Sequence, residues 1–324
     1  MKEKKEKKQK VIGYIEHGGI KAVPHNLALD FKRNKVIYFL CIPIIVWYII
    51  FHYIPMAGIV MAFEKFKPAL GIFRSKWIGF GNFVEFFKGP YFLRLLRNTA
   101  ALGILDIIFG FPAPIIFALL LNEVKNIKFK KVTQTISYMP YFISMVVVAG
   151  IIIDFTKSGG VISNIVASLR GTTPENLLGN VNYFRPIFIL SGIWQGVGYG
   201  SIIYIAALSS VDQELYEAAV MDGANRWKQT IHITIPSILP TIIMLLIMRM
   251  GSILAVASDK VLLLYSPGIY EKADVISTYV YRIGLEQANY GLASAVGLFN
   301  SIVGTVFLLT TNAISKKLTE TSLF

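Results

Sequence analysis

Six apolar runs, each about long enough to cross a bilayer, limit what this chain can become. A helix spanning ~30 Å of hydrocarbon needs roughly 20 mostly apolar residues. The runs cover residues 36–54, 99–121, about 135–153, 187–208, 237–257 and 293–312. Inside hydrocarbon no water satisfies a backbone N–H or C=O, so a spanning segment must close its hydrogen bonds within itself, as a helix does. None of the runs carries the polar face that a helix of a soluble bundle shows to water. Composition agrees: 16% of the 324 residues are charged and 54% are hydrophobic, against about a quarter charged in soluble domains. The expected fold class is all-α, a polytopic membrane protein with six transmembrane helices. Pro112, Pro114, Gly192, Gly196, Gly198 and Gly200 fall inside the runs. Neighbouring helices re-satisfy the backbone groups that such residues free, and small residues let helices pack closely.

The net charge is +13, with the basic residues gathered at the ends and in short loops. That distribution suits anionic lipid headgroups better than a nucleic-acid groove; no RNA-binding motif or zinc spacing accompanies it, and nucleic acid is not an expected partner. Ten Lys and Arg precede the first run, most of them in MKEKKEKKQK and KRNK. An arm so charged resists translocation, which puts the N-terminus inside. The cytoplasmic segments then hold 18 Lys and Arg and the outer ones 13, the sense of the positive-inside rule. The run that follows is too long for the core of a signal peptide and lacks a small-residue cleavage site. Cys41 is the single cysteine, so no intrachain disulfide can form. His17, His25, His52 and His232 have neither metal spacing nor an acidic partner in sequence; no metal site is expected.

Between the fourth and fifth runs lies a polar stretch of about 210–236, containing YEAAVMDGANRWKQTIHITIP. Ser210 and Gln213 have capping-box spacing and predict a helix start. Leu215, Ala218, Ala219 and Asp222 recur at helical spacing, and alanines there admit a second surface at close range. Gly223 stands where a C′ glycine ends a helix. A second helical turn over 225–230 is predicted to lead to Pro236 at the start of the next span. By topology this loop faces the cytoplasm. Periodicity alone allows two readings, a hairpin lying on lipid and a platform for a soluble partner.

The same residues carry a resemblance. The stretch closely resembles the EAA loop of binding-protein-dependent ABC importer permeases through Glu217, Ala218, Ala219, Gly223, Ile233, Ile235 and Pro236, with Asp222 and Ala224 in their usual places. YIPMAGIVMAFEKFKPALGIFRSKWIGFGNF (53–83), ADVISTYVYRIGL (273–285) and ASAVGLFNSIVG (293–304) are similar to the polysaccharide-type, LplB-like carbohydrate permeases. The resemblance covers nearly everything after residue 36. It implies a type I ABC importer permease fold, with a lysine-rich cytoplasmic arm at 1–35 and a six-helix permease domain at 36–324, both termini on the cytoplasmic side of a bacterial inner membrane. It further implies import of oligosaccharides by alternating access. Its implied partners are a second homologous permease in a heterodimer, two copies of a cytoplasmic ATPase and an extracytoplasmic solute-binding protein. Glu217, Ala218, Ala219, Asp222, Gly223, Ala224 and Pro236 would couple this chain to the ATPase. The sequence has no GxxxxGK(S/T) phosphate loop and no Gly-Lys dipeptide. No cofactor is therefore expected on this chain, and ATP and Mg would be used by the partner subunit, leaving this one non-catalytic. A secondary transporter would require a midplane ion site and an internal repeat, neither of which stands out; a non-transporting scaffold is the other alternative.

Several polar residues fall inside the runs. Asp106 and Arg249 are ionisable at membrane depth, where function or mutual pairing is the usual reason; a substrate role, a structural pair, and Arg249 reaching the interface all fit. Trp194, Gln195, Tyr199 and Asn300 combine ring faces with hydrogen-bonding groups, the mixture that sugars need, and Gln195 and Tyr199 share a helix face. They are the substrate-path candidates, with polar contacts between helices as the competing reading. The loop 154–186, rich in glycine and asparagine, is the expected contact for the binding protein.

Overall fold

The structure, a computed structural model, describes residues 31, 34–256, 258–319 and 322–323. The arm at 1–35 thus lies almost wholly outside the described residues. Two compact units divide the chain after Ile59. In the first, α1 (Lys35–Tyr48) is apolar on every side and buries no residue, as suits a helix surrounded by lipid or by a partner's helices.

The second unit holds the remaining spans. A short antiparallel pair, β1 (Glu64–Lys65) with β2 (Lys76–Trp77), leads into α2 (Gly81–Lys88). Next come α3 (Phe92–Leu105), α4 (Pro112–Glu123), α5 (Ile127–Tyr138), α6 (Met145–Thr156) and α7 (Val161–Arg170). They are followed by α8 (Phe184–Ser209), α9 (Gln213–Met221), α10 (Arg226–Gln229), α11 (Ile235–Gly251) and α12 (Ser258–Leu264). Last are α13 (Ile276–Tyr281) and α14 (Tyr290–Thr319). Six helical stretches are long and apolar enough to span: Lys35–Phe63, Phe92–Glu123, Met145–Arg170, Phe184–Ser209, Arg226–Gly251 and Tyr290–Lys317.

Three of these stretches run through a proline in the same way. π-Helical turns at Ile49–Tyr53, Asp106–Gly110 and Thr230–Thr234 each end two residues before a proline, at Pro55, Pro112 and Pro236 respectively. Proline has no N–H and its ring collides with the carbonyl four residues back. One extra residue in the preceding turn moves that carbonyl aside, so the helix bends and continues.

Two expected spans need correction. Residues 135–153 are not one helix: α5 closes in a 3₁₀ turn at Met139–Phe142, and Ser144 caps the start of α6. Pro140 and the extended backbone at Ser144 (ψ 146°) interrupt a run that hydropathy reads as continuous. The fifth span is not 237–257. It begins at Arg226, because the π turn carries the helix across Pro236, and it stops at Gly251. The chain turns just beyond, where Gly103 of α3 lies so close that a Cβ would meet the Ile253 carbonyl oxygen at 2.3 Å.

Three apolar clusters make up the core of this unit. One joins Leu102, Val148, Ile152, Phe184, Phe188 and Val261; a second joins Phe86, Leu95, Ile276, Ile283 and Val296; a third joins Ala118, Tyr204, Leu208, Val211 and Ile238. Glycine sets the closest helix contact. At Gly198 on α8 a Cβ would sit 2.1 Å from the Ser137 carbonyl oxygen on α5, whereas at Gly196 it would meet nothing within 4 Å. Gly198→Ala is therefore expected to lower stability by about 1–3 kcal/mol through overpacking. Gly196→Ala should be neutral or raise it by up to ~1 kcal/mol through helix propensity. Thermal unfolding of the detergent-purified variants measures both, and equal midpoints would contradict the packing.

Candidate functional site

The segment 210–236 folds as a compact platform. Asp212, not Ser210, caps α9: its carboxylate accepts from the Glu214 N–H at 3.0 Å. Ser210 ends α8 instead, its hydroxyl donating to the Ala207 carbonyl. The capping-box spacing was formally present, but Asp212 begins the turn two residues later. As a result Glu214 is the acid in the first turn of α9, and Glu217 lies in the second, where the helix dipole gives it less.

At the other end α9 closes in a Schellman motif. The Ala224 N–H reaches the Ala219 carbonyl (2.8 Å), the Gly223 N–H reaches the Val220 carbonyl (3.0 Å), and Gly223 has φ +73°. Two orphan carbonyls are thereby satisfied in the left-handed geometry that glycine adopts without a Cβ penalty. Asn225 then caps α10 through the Lys228 N–H (2.9 Å), and buried Gln229 donates back to the Ala224 carbonyl (2.9 Å). The Tyr216 hydroxyl bonds Thr234 Oγ1 at 2.9 Å, which ties α9 to the first turns of the fifth span. Tyr216 also packs on the cluster of Ala118, Tyr204, Leu208 and Ile238.

The outer face of the platform is unpartnered among the described residues. Glu217, Ala218, Asp222, Gly223 and Pro236 are exposed, while Ala219 and Ala224 are half-buried. Leu215, Val220, Met221 and Trp227 present apolar side chains to the outside, Met221 at 87% exposure. A cleft of about 700 Å³ opens between α9 and the end of α4, lined by Asn122, Glu123, Tyr216, Glu217, Val220 and Arg226 among others. Asp222 caps the C-terminal end of its helix, where a carboxylate opposes the dipole; neither it nor Glu217 enters an ion pair among the described residues.

The residues chosen for a sugar path divide. Gln195 donates to the Ile143 carbonyl (3.5 Å) and Tyr199 stacks on Tyr141 with ring centroids 3.9 Å apart. Both therefore stand against the break before α6, where a free carbonyl needs a donor. Trp194 is exposed, on the same helix. Asn300 lies on α14, which packs chiefly on α11, α13 and α2, and its buried Oδ1 has no partner among the described residues.

Charged groups form two centres. Arg249 donates to Asp106 through Nε (2.8 Å) and through Nη2, so these two residues pair across α11 and the π turn after α3. Lys260, 3% exposed, donates to the Phe188 carbonyl at 2.7 Å with its ammonium 4.7 Å from the Phe188 ring centroid. Burial lowers this ammonium to about 8, with Asp106 acting the other way. The second centre is the fully buried Asp274, held by Arg94 (2.9 Å), Arg282 (2.9 Å) and the Thr278 hydroxyl (3.0 Å). Asn98 donates to the Asp274 and Glu271 carbonyls (2.9 and 3.0 Å) and accepts from Arg185 (3.0 Å). Sequence reasoning missed this centre. Its partners are some 180 residues apart, and its only local signal is the stretch ADVISTYVYRIGL.

A family model described as "binding-protein-dependent transport system inner membrane component" matches residues 110–320. The chain is 45% identical over 294 residues to Protein LplB of Bacillus subtilis (strain 168), covering 90% of this chain and 92% of that protein. It is 40% identical over 299 residues to the polygalacturonan/rhamnogalacturonan transport system permease protein YteP of the same organism, covering 92% and 93%. Among solved structures, a crystal structure of a bacterial ABC transporter involved in the import of the acidic polysaccharide alginate contains a chain 44% identical to this one. That match has a TM-score of 0.83 and covers 90% of this chain and 99% of the other. A bacterial alginate ABC transporter in complex with an alginate pentasaccharide-bound periplasmic protein matches at 43% identity and TM-score 0.83, covering 91% and 98%.

The Schellman turn yields a direct check on the platform. A β-branched residue at φ +73° strains the backbone, at a cost of about 1–2 kcal/mol, whereas asparagine tolerates the left-handed region. Gly223→Val should accelerate tryptic cleavage after Arg226 and Lys228 by about tenfold, the opening expected from ~1.4 kcal/mol, while Gly223→Asn stays near the parent. Equal cleavage of the two variants would contradict the assigned turn.

Proposed function

Because this chain belongs to the family of binding-protein-dependent transport system inner membrane components, and is a permease subunit of an ABC carbohydrate importer, we propose that its 210–236 platform is the seat of the ATPase. The observation that carries the reading is the outer face of α9. Two carboxylates that enter no ion pair among the described residues, Glu217 and Asp222, flank apolar Val220 and Met221 on a helix fixed at both ends. An apolar anchor rimmed by charge is the usual make-up of a docking patch between proteins. Lipid-surface packing would instead favour a basic polar face, and this helix carries no Lys or Arg.

Coupling then follows from connectivity. In the proposed cycle ATP and Mg are bound by two copies of a cytoplasmic ATPase subunit, which close on one another and carry their α9 helices with them. Each α9 moves its fifth span, since the Tyr216–Thr234 bond and the turn at Gly223 link the two. With a second, unlike permease completing the pathway, closure swings the cavity from inward-open to outward-open by rigid-body rotation, and reopening returns it. A solute-binding protein outside delivers an oligosaccharide, and the N-terminus and the 210–236 platform face the cytoplasm. The YteP relative is named for polygalacturonan/rhamnogalacturonan transport and the solved relatives for alginate, which supports oligosaccharide fragments of complex polysaccharides as the cargo. Trp194, the Tyr141–Tyr199 stack and Asn300 supply ring faces and an unpaired amide oxygen for sugar along the path, while Gln195 is occupied in bracing the break at Ile143.

Reversing the charge at Glu217 tests the coupling. In reconstituted complex, Glu217→Lys is expected to leave insertion and assembly of the permease pair intact. ATPase co-purification and ligand-stimulated hydrolysis should fall at least about tenfold, as expected from loss of a charge-assisted contact. Full stimulated hydrolysis in both Glu217→Lys and Asp222→Lys would remove the platform from the coupling path.

A further inference from the structure

The rim formed by the first two turns of α3 and the first turn of α8 carries more positive charge than its own carboxylates neutralise. Arg94 and Arg282 are spent on Asp274. Arg97 and Arg185 are not: among the described residues they reach only neutral oxygens, Arg97 the Glu271 carbonyl (3.4 Å) and Arg185 the Asn98 side chain (3.0 Å). The two guanidiniums converge on one spot, because Asn98 itself donates to the Glu271 carbonyl. Arg185 Nε is buried and has no hydrogen-bond partner among the described residues, an uncompensated donor of a kind that folding normally avoids. Arg94 and Arg185 also sit in the first turns of their helices, at the positive end of the dipole, which repels them. One turn further along α8 the chain places a third cation, the buried Lys260, against Phe188, with no ion pair among the described residues although Asp106 acts on it from a distance. The absent side chain at Gly192 leaves it room, a Cβ there lying 3.4 Å from Nζ.

Such an arrangement costs stability unless an anion completes it. Guanidinium groups bind carboxylates by paired hydrogen bonds, and the adjoining exposed ring of Tyr91, which carries Arg94 at 4.9 Å, offers an apolar surface to sugar C–H groups. We propose that Arg97, Arg185 and Lys260 form a track along α8 that binds the carboxylates of an acidic, uronate-containing oligosaccharide as it enters the permease. This rests on the importer reading and on the orientation proposed with it, which turns this rim to the outside. It assigns the cargo class to a set of side chains in the permease itself, beyond the selection made by the binding protein.

The test uses the purified complex of both permeases and the ATPase, with the binding protein omitted. It is titrated at low ionic strength with trigalacturonate and with fully methyl-esterified trigalacturonate, which differ in charge and little in size. The acidic form should bind at least about tenfold more tightly, the discrimination expected of one charge-assisted pair. Arg97→Gln combined with Arg185→Gln should abolish most of that preference and Lys260→Met should reduce it, whereas Arg185→Lys should retain part. Equal affinity for the two forms, no binding of either, or an undiminished preference in both the double variant and Lys260→Met would overturn the proposal. The importer reading is judged apart, by ATP hydrolysis stimulated by the binding protein with acidic or neutral oligosaccharides. Stimulation by neutral sugars alone would sink the track and leave the importer standing, while no stimulation by any sugar would count against both.

Discussion

A peptide group inside hydrocarbon has no water to bond, and the irregular places in this chain are built around that cost. Where prolines interrupt the spans, π-helical turns carry the helix past them at Pro55, Pro112 and Pro236. At the break before α6 a Ser144 hydroxyl caps the new helix and Gln195 donates to the half-buried Ile143 carbonyl. Where α8 must approach α5, Gly198 removes the side chain that would strike the Ser137 carbonyl. Each device spends a specific residue on a backbone group, so the places where the helices bend are set by sequence and not by general softness.

The same logic makes the 210–236 platform a lever. Had Pro236 opened a new helix, the platform would hang from the fifth span by an unstructured joint. Instead α10, the π turn and α11 run without interruption from Arg226 to Gly251. Capping by Asp212 and Asn225, the Schellman turn, and the Tyr216–Thr234 bond hold α9 against that rod. At its far end the rod carries Arg249, paired with Asp106 on the second span. In the proposed coupling, a displacement at α9 reaches both spans through these contacts. The pairing bears out one of the sequence readings of Asp106 and Arg249: each neutralises the other at membrane depth, where an isolated charge costs several kcal/mol.

Much of this was legible in the residues. Long apolar runs, Gly223 at a left-handed turn and the missing phosphate loop follow from composition and spacing. What escaped was set by competition or by distance. Asp212 caps α9 because Ser210 is held at the end of α8, its hydroxyl donating to the Ala207 carbonyl; both are good caps, and spacing alone cannot rank the two. The third run looked continuous since Pro140 and Ser144 are both compatible with an apolar average. Proline's preference for a first turn suggests a fifth span beginning at 237, whereas a π turn lets Pro236 sit inside a helix. The Asp274 centre, with Arg94 and Asn98 some 180 residues away, has no local pattern, and the convergence of Arg97 and Arg185 became visible only with the fold.

The claim on which the rest turns is that α9 and the fifth span move as one body. A pair of spin labels at Val220 and Leu239, both exposed, in a Cys41→Ser background reports their separation in the assembled complex with and without trapped ATP. The account predicts an unchanged distance, while the same label at Val220 moves relative to its counterpart on the second permease. A change between 220 and 239 of about one helical turn, ~5 Å, would show the joint to be flexible and would contradict the lever.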